Sequence, residues 1–116
     1  MKNHDLGKRG EEIATKFLQE KKYEILHQNW RYQKAELDII CKDQGILVIV
    51  EVKARSSNRY GEPETFVSRT QQRHLIRAVN AFVEHFDWQG EIRFDILSIC
   101  FYPFLKIKHL KNAFYP

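Results

Sequence analysis

Residues 36 to 53 read ELDIICKDQGILVIVEVK, and this stretch decides the fold. Two apolar, β-branched segments, Ala35 to Cys41 and Ile46 to Lys53, flank the turn residues Lys42 to Gly45. That pattern predicts an antiparallel hairpin. Leu47 to Val50 are apolar at every position rather than at alternate ones, so the second strand is expected to be covered on both faces, in the middle of a sheet. Asp38, Glu51 and Lys53 interrupt this apolar pair, and a purely structural hairpin has no use for them there. Because strand side chains alternate, Glu36 and Asp38 share a face, as do Glu51 and Lys53. A two-residue turn at Gln44-Gly45 sets Asp38 opposite Glu51 and Glu36 opposite Lys53, all four on one face, with opposed Cβ atoms about 4.5–5.5 Å apart. Two carboxylates that close repel unless a proton or a cation lies between them, and a hard divalent cation with oxygen ligands is the economical answer.

Outward from the hairpin, the upstream chain carries Leu6, Ile13, Phe17 and Leu18 near helical spacing, which predicts a first helix from Asp5 to Lys21 with Asp5 as N-cap. Gly7 and Gly10 weaken its first turns, unless they admit a close backbone approach. Tyr23 to Trp30 reads as a strand and Arg31 to Lys34 as a turn. Downstream, Ala54 to Glu64 has turn chemistry and no periodicity, as expected of an exposed loop. Ser68 and Gln71 fit a capping box opening a second helix, whose apolar stripe is Leu75, Ile76, Val79, Phe82, Val83 and Phe86. Ile92 to Ile99 reads as a strand, Phe101 to Pro103 as a turn and Ile107 to Leu110 as a short edge strand. The order is helix, three strands, helix, then one or two strands: an α/β sandwich with helices packed on a mixed sheet, in one domain spanning residues 1–116.

The net charge of +4 is a mild excess that permits a polyanionic partner. Cys41 and Cys100 lie in apolar runs without metal-ligand spacing, so they are expected to be buried, reduced thiols of a cytoplasmic protein. No run approaches the ~18 apolar residues of a membrane span, and the first residues lack a signal-peptide pattern. Arg69, Arg73 and Arg77 recur every four residues, forming a ridge outside the second helix's apolar stripe. With Arg55 and Arg59 in the loop they could line up on phosphates, or form a solvated face. Trp30, Tyr32 and Tyr60 could stack on bases, though packing is the commoner role. Phe82, Phe86, Phe94 and Phe101 read as core. His4, His27, His74, His85 and His109 do not cluster, and a surface position is expected for each.

An acidic residue followed about a dozen residues later by E-x-K on the adjoining strand resembles the PD-(D/E)xK nuclease superfamily. More specifically, GEEIA at Gly10 to Ala14, NWR at Asn29 to Arg31, ELDII at Glu36 to Ile40, VEVKAR at Val50 to Arg55, YGEP at Tyr60 to Pro63 and NAF at Asn112 to Phe114 together resemble the UPF0102 (YraN-like) family, itself similar to archaeal Holliday junction resolvases. The resemblance implies a restriction-endonuclease-like αβββαβ sandwich and a Mg²⁺- or Mn²⁺-dependent endonuclease acting on DNA, branched or structured DNA in particular. It assigns Asp38, Glu51 and Glu11 to the metal and Lys53 to the attacking water. Glu36 becomes a supporting residue of the site or a partner of Lys53. Three positions depart from the pattern: Leu37 stands in place of Pro, Ala35 in place of Gly, and Gln71 where a Lys that contacts substrate is usual. Two other readings remain open: a non-catalytic nucleic-acid-binding module on the same fold, and a protein-interaction homodimer.

Overall fold

The computed structural model describes residues 3–57 and 67–114, and the side chains from residue 5 onward within them. The elements run α1 (Asn3–Glu20), β1 (Glu24–Tyr32), β2 (Ala35–Asp43), β3 (Ile46–Ser57), α2 (Arg69–Phe86), β4 (Ile92–Tyr102) and β5 (Lys106–Phe114). The strands form one mixed sheet in the order β1-β2-β3-β4-β5. Only β3 and β4 are parallel, joined by the crossover that contains α2; the other neighbours are antiparallel. This is the α/β, restriction-endonuclease-like sandwich, with β5 completing an αβββαββ order.

The β2–β3 hairpin has the register expected of a two-residue turn. Gln44 and Gly45 both take positive φ (50° and 83°), as a hairpin turn matched to strand twist requires, and Ile39 to Asp43 pair with Val50 to Ile46. Since β3 is the middle strand, its apolar run is buried from both sides. On one face Ala14 and Leu18 of α1 meet Ile39, Cys41, Val48, Val50, Leu97 and Ile99. On the other, Leu75, Ala78, Val79 and Phe82 of α2 meet Leu37, Ile40, Leu47, Ile49, Phe94 and Ile96.

Several boundaries differ from the expected ones for identifiable reasons. Helix α1 begins at Asn3, so Asp5 lies in its first turn rather than at the cap. Strand β3 runs on to Ser57, through residues expected in the loop, because β4 pairs with it as far as Ser57–Tyr102. The polar turn after β1 shrinks to Gln33 and Lys34, since Arg31 and Tyr32 pair with Glu36 and Ala35. Strand β5 is nine residues long where only Ile107 to Leu110 were expected. It crosses a bulge opposite Asp95, at Asn112 (φ 52°), a break that hides its periodicity.

Gly10 is the close contact that fixes α1 on the sheet. A Cβ at this position would lie 2.8 Å from Ala54 Cβ, whereas one at Gly7 would meet nothing within 4 Å.

Candidate functional site

The last paired rung of β2–β3 on the open side is Ile39–Val50. Beyond it the backbone ladder gives way to a side chain: the Val52 N–H donates to Asp38 Oδ2 at 2.8 Å. Alternation along β2 is also interrupted here. Leu37 packs in the α2 cluster and Ile39, two residues on, in the α1 cluster. The carboxylates therefore converge from two sides of the sheet instead of lining one face. Glu36 and Asp38 meet Glu11 of α1, with one ligand oxygen from each lying within 4.8 Å of the others. Glu51, on β3, hydrogen-bonds to the Asp38 carboxyl and accepts from Gln71 Nε2 of α2 at 3.1 Å.

Burial makes this convergence costly. It raises the pKa of Asp38 first, and the charges of Glu11 and Glu36 raise it further against the Val52 N–H. Glu51 is raised by burial and then by Asp38, with Lys53 opposing. Glu11 is raised by burial and by Glu36, with the Asn29 amide opposing. Both raised carboxyls favour a bound proton in the Asp38–Glu51 pair, and a cation placed there would compensate the same charge. The donor set is entirely carboxylate oxygen, which fits a hard divalent ion and not a soft one.

Glu11 is presented by α1, seated by Gly10. Asn29 holds it against Glu36: with its amide nitrogen turned inward it donates to Glu11 Oε1 and to Glu36 Oε1 (3.0 Å), from a left-handed backbone conformation (φ 53°) within β1. In the sequence Asn29 is marked only by the NWR match. Glu36 pairs with Arg31 (3.0 Å) and not with Lys53, since Arg31 is its direct partner in the β1–β2 register. Lys53 lies on the wall of a cleft formed with Leu6, Gly7, Glu11, Asp38, Val52 and Ala54.

Ser68 caps α2 by accepting from the Gln71 N–H (3.2 Å), but the Gln71 side chain does not close the box; it goes to Glu51 instead. Arg55 is exposed near the end of β3, and Arg69, Arg73 and Arg77 are exposed along α2. Arg77 borders a hollow with Tyr32, Gln33, Lys34 and His74. Trp30 and Tyr32 stack on each other and pack against the α2 cluster. Arg59, Tyr60 and the YGEP segment lie outside the described residues, as does the His4 side chain.

Phe86 was expected in the core and is 42% exposed, in tilted ring contact with His27 and Phe82 at the end of α2. His109 was expected at the surface, but its side chain is only 5% exposed and its Nε2 lies 2.7 Å from Asp95 Oδ2. Arg93 makes two hydrogen bonds to the same carboxylate (2.9 and 3.0 Å) and a third to the Tyr23 hydroxyl. Asp95 also accepts from the Asn112 N–H, so the fully buried carboxylate satisfies the β5 bulge. Burial pushes the Asp95 pKa up, but the hydrogen bonds from His109 and Arg93 and the Arg93 charge outweigh it and hold the group below its usual value. Arg93 also reaches Asp43 Oδ2 at 3.4 Å; sequence spacing carried no signal for this network, since Tyr23, Asp43, Arg93 and His109 are far apart in the chain and meet only in the folded sheet. Both cysteines are buried free thiols, and burial followed by the Asp95 charge pushes Cys41 up to about 12.

Fold and site together define an α/β protein of the restriction-endonuclease-like class, with an acidic cluster and a lysine where its two central antiparallel strands part. The chain belongs to the uncharacterised protein family UPF0102, whose model matches residues 10–99. It is 48% identical over 116 residues to a UPF0102 protein of Flavobacterium psychrophilum, covering 97% of this chain and 96% of that one. It is 46% identical to one of Christiangramia forsetii (97% and 96% covered) and 39% identical to one of Thermodesulfovibrio yellowstonii (96% of each). Among the described residues no helix is long and apolar enough to cross a membrane.

Proposed function

We propose that the protein is a Mg²⁺- or Mn²⁺-dependent endonuclease that hydrolyses phosphodiester bonds of DNA, with branched or structured DNA as the preferred substrate. The observation that carries this reading is the convergence of Glu11, Glu36 and Asp38, with Glu51 against Asp38 and Lys53 on the cleft wall beside them. Asp38, Glu51 and Glu11 would hold the ion. When bound, a divalent ion neutralises phosphate charge and makes a water more acidic at neutral pH.

The chain's own groups supply the rest. Lys53 would stabilise the negative charge that develops on the phosphate, or hold the water in line. Gln71 and the Val52 N–H fix the Glu51 and Asp38 carboxylates, so little reorganisation is left for the reaction. Asn29 bridges Glu11 and Glu36 by donating to both, which offsets part of their mutual repulsion. Exposed Arg55, Arg69, Arg73 and Arg77 suit phosphate contacts along the substrate.

Calorimetric titration with Mg²⁺ or Mn²⁺, wild type against Asp38→Ala, followed by cleavage of duplexes, flaps and four-way junctions, tests the proposal. Wild type binds metal and cuts at least one of these DNAs; Asp38→Ala loses both, and Lys53→Ala keeps metal binding but loses cleavage. Salt-dependent DNA binding without metal binding or cleavage would instead favour a non-catalytic module.

A further inference from the structure

The β4–β5 hairpin carries a feature that the metal site does not use. Its tip exposes three large apolar side chains in sequence neighbourhood: Tyr102 (67%), Phe104 (76%) and Leu105 (51%). Among the described residues these are the three most exposed large hydrophobic side chains, and burial that would offset their hydration cost is missing. Cations surround the base of the tip from three elements. Arg9 of α1 lies over the Phe101 ring, 5.6 Å from its centroid. Arg55 of β3 is in register with Cys100, and Cys100 with Lys106; Ser98 is in register with Lys108. Arg9, Arg55, Lys106 and Lys108 are all exposed. No carboxylate side chain occurs in the sequence after Asp95.

Lysines on an edge strand by themselves guard against strand-to-strand aggregation. That role does not account for aromatic side chains held out in water beside them. Aromatic faces ringed by cations suit an unpaired nucleic-acid strand, whose bases stack on the rings while its phosphates meet the cations. The position agrees. The tip extends from the end of β4 that pairs with the end of β3, Ser57 with Tyr102. Tyr102 is four residues beyond Ser98, the partner of Lys53, or about 13 Å along the strand at ~3.3 Å per residue. A single strand can span that distance from the cleft.

We infer that the β4–β5 hairpin tip is a binding element for unpaired nucleic acid, in which Phe104 and Tyr102 stack on bases and Arg9, Arg55, Lys106 and Lys108 contact the flanking phosphates. The inference takes its ligand class from the nuclease reading, but its test needs no metal.

Binding of fluorescent oligothymidylate and of a blunt duplex to the full chain is measured by anisotropy in EDTA, for wild type and for the Tyr102→Ala/Phe104→Ala variant. Both side chains are exposed, and circular dichroism melting confirms that the variant is folded. The expected result is loss of oligothymidylate affinity by tenfold or more, in line with about tenfold per stacked base, and little change for the duplex. Equal oligothymidylate affinity in wild type and variant overturns the tip assignment while leaving the nuclease proposal standing, since that is read from metal binding and cleavage. Wild-type binding to phosphatidylserine vesicles but not to oligothymidylate, or a dimer in analytical ultracentrifugation that the variant abolishes with no effect on oligothymidylate, also overturns it.

Discussion

At the scale of single residues, the site is defined by groups that are costly to bury. Burial pushes Asp38 up to about 7, with the Glu11 and Glu36 charges adding to it and the Val52 N–H and Glu51 opposing, and burial followed by the Asp38 charge pushes Glu51 up to about 8. The sign for stability follows directly. A carboxyl whose pKa is higher in the folded than in the unfolded state binds its proton more tightly when folded. Its contribution is present in full below the unfolded value near 4 and is lost as the pH rises through the folded values. Metal-free protein is therefore expected to melt at progressively lower temperature from pH 5 to pH 9. Asp38→Asn should flatten that dependence, and saturating Mg²⁺ should reverse it, because a ligand of the folded state stabilises by mass action. Calorimetric melts across the pH range check this; a melting temperature that is flat or rises with pH would contradict it. The buried Asp95 has the opposite sign. Its lowered pKa favours folding above the unfolded value and is lost in acid, consistent with a carboxylate that anchors Arg93, His109 and the Asn112 bulge.

At the scale of elements, the position of α1 decides whether Glu11 belongs to the site. Gly10 and Gly7 are one turn apart in the same helix, yet their surroundings differ. Replacing Gly7 by Ala meets nothing and gains helix propensity, about 1 kcal/mol. The same gain applies at Gly10, but the new Cβ would strike Ala54 Cβ, which is rooted in the β3 backbone and cannot swing away. Overpacking of this kind costs about 1–3 kcal/mol. Gly7→Ala is thus expected to stabilise and Gly10→Ala to be neutral or destabilising. Gly10→Ala should also weaken Mg²⁺ binding by moving Glu11 away from Asp38. Thermal melts and metal titrations of the two variants separate these effects. Helix α2 contributes in two ways at once: its Ser68 cap orders the first turn, and Gln71, released from the capping box, steadies Glu51.

At the scale of the whole molecule, the acidic cluster sits where β2 and β3 part, between one helix that supplies Glu11 and another that supplies Gln71. A negative site on a net positive chain of +4 needs cations elsewhere to approach DNA. The exposed Arg69, Arg73 and Arg77 ridge is one such surface. If it contacts phosphates, each Arg→Ala lowers the slope of log affinity against log salt by ~0.9. A duplex-binding titration between low and moderate salt, with Ca²⁺ in place of Mg²⁺, gives that slope; an unchanged slope in the triple variant marks the ridge as a solvated face.

The sequence by itself determined the hairpin, its turn and its register, because a buried central strand and a Gln-Gly turn are local properties with strict periodicity. It also determined the two helices and, through short motifs in order, the family. It brought Asp38 near Glu51 through the hairpin register, but not the face each side chain takes, because the alternation of β2 breaks between Leu37 and Ile39. Tertiary structure decided the rest. Asp38 stepping into the ladder at Val52, Asn29 bridging Glu11 to Glu36, and Gln71 reaching Glu51 all join residues distant in the chain. So do His109 and Arg93 closing on Asp95, and the long β5 strand that a bulge concealed. Each of these depends on which buried polar group must find a partner once the sheet and helices have packed, and that requirement exists only in the folded molecule.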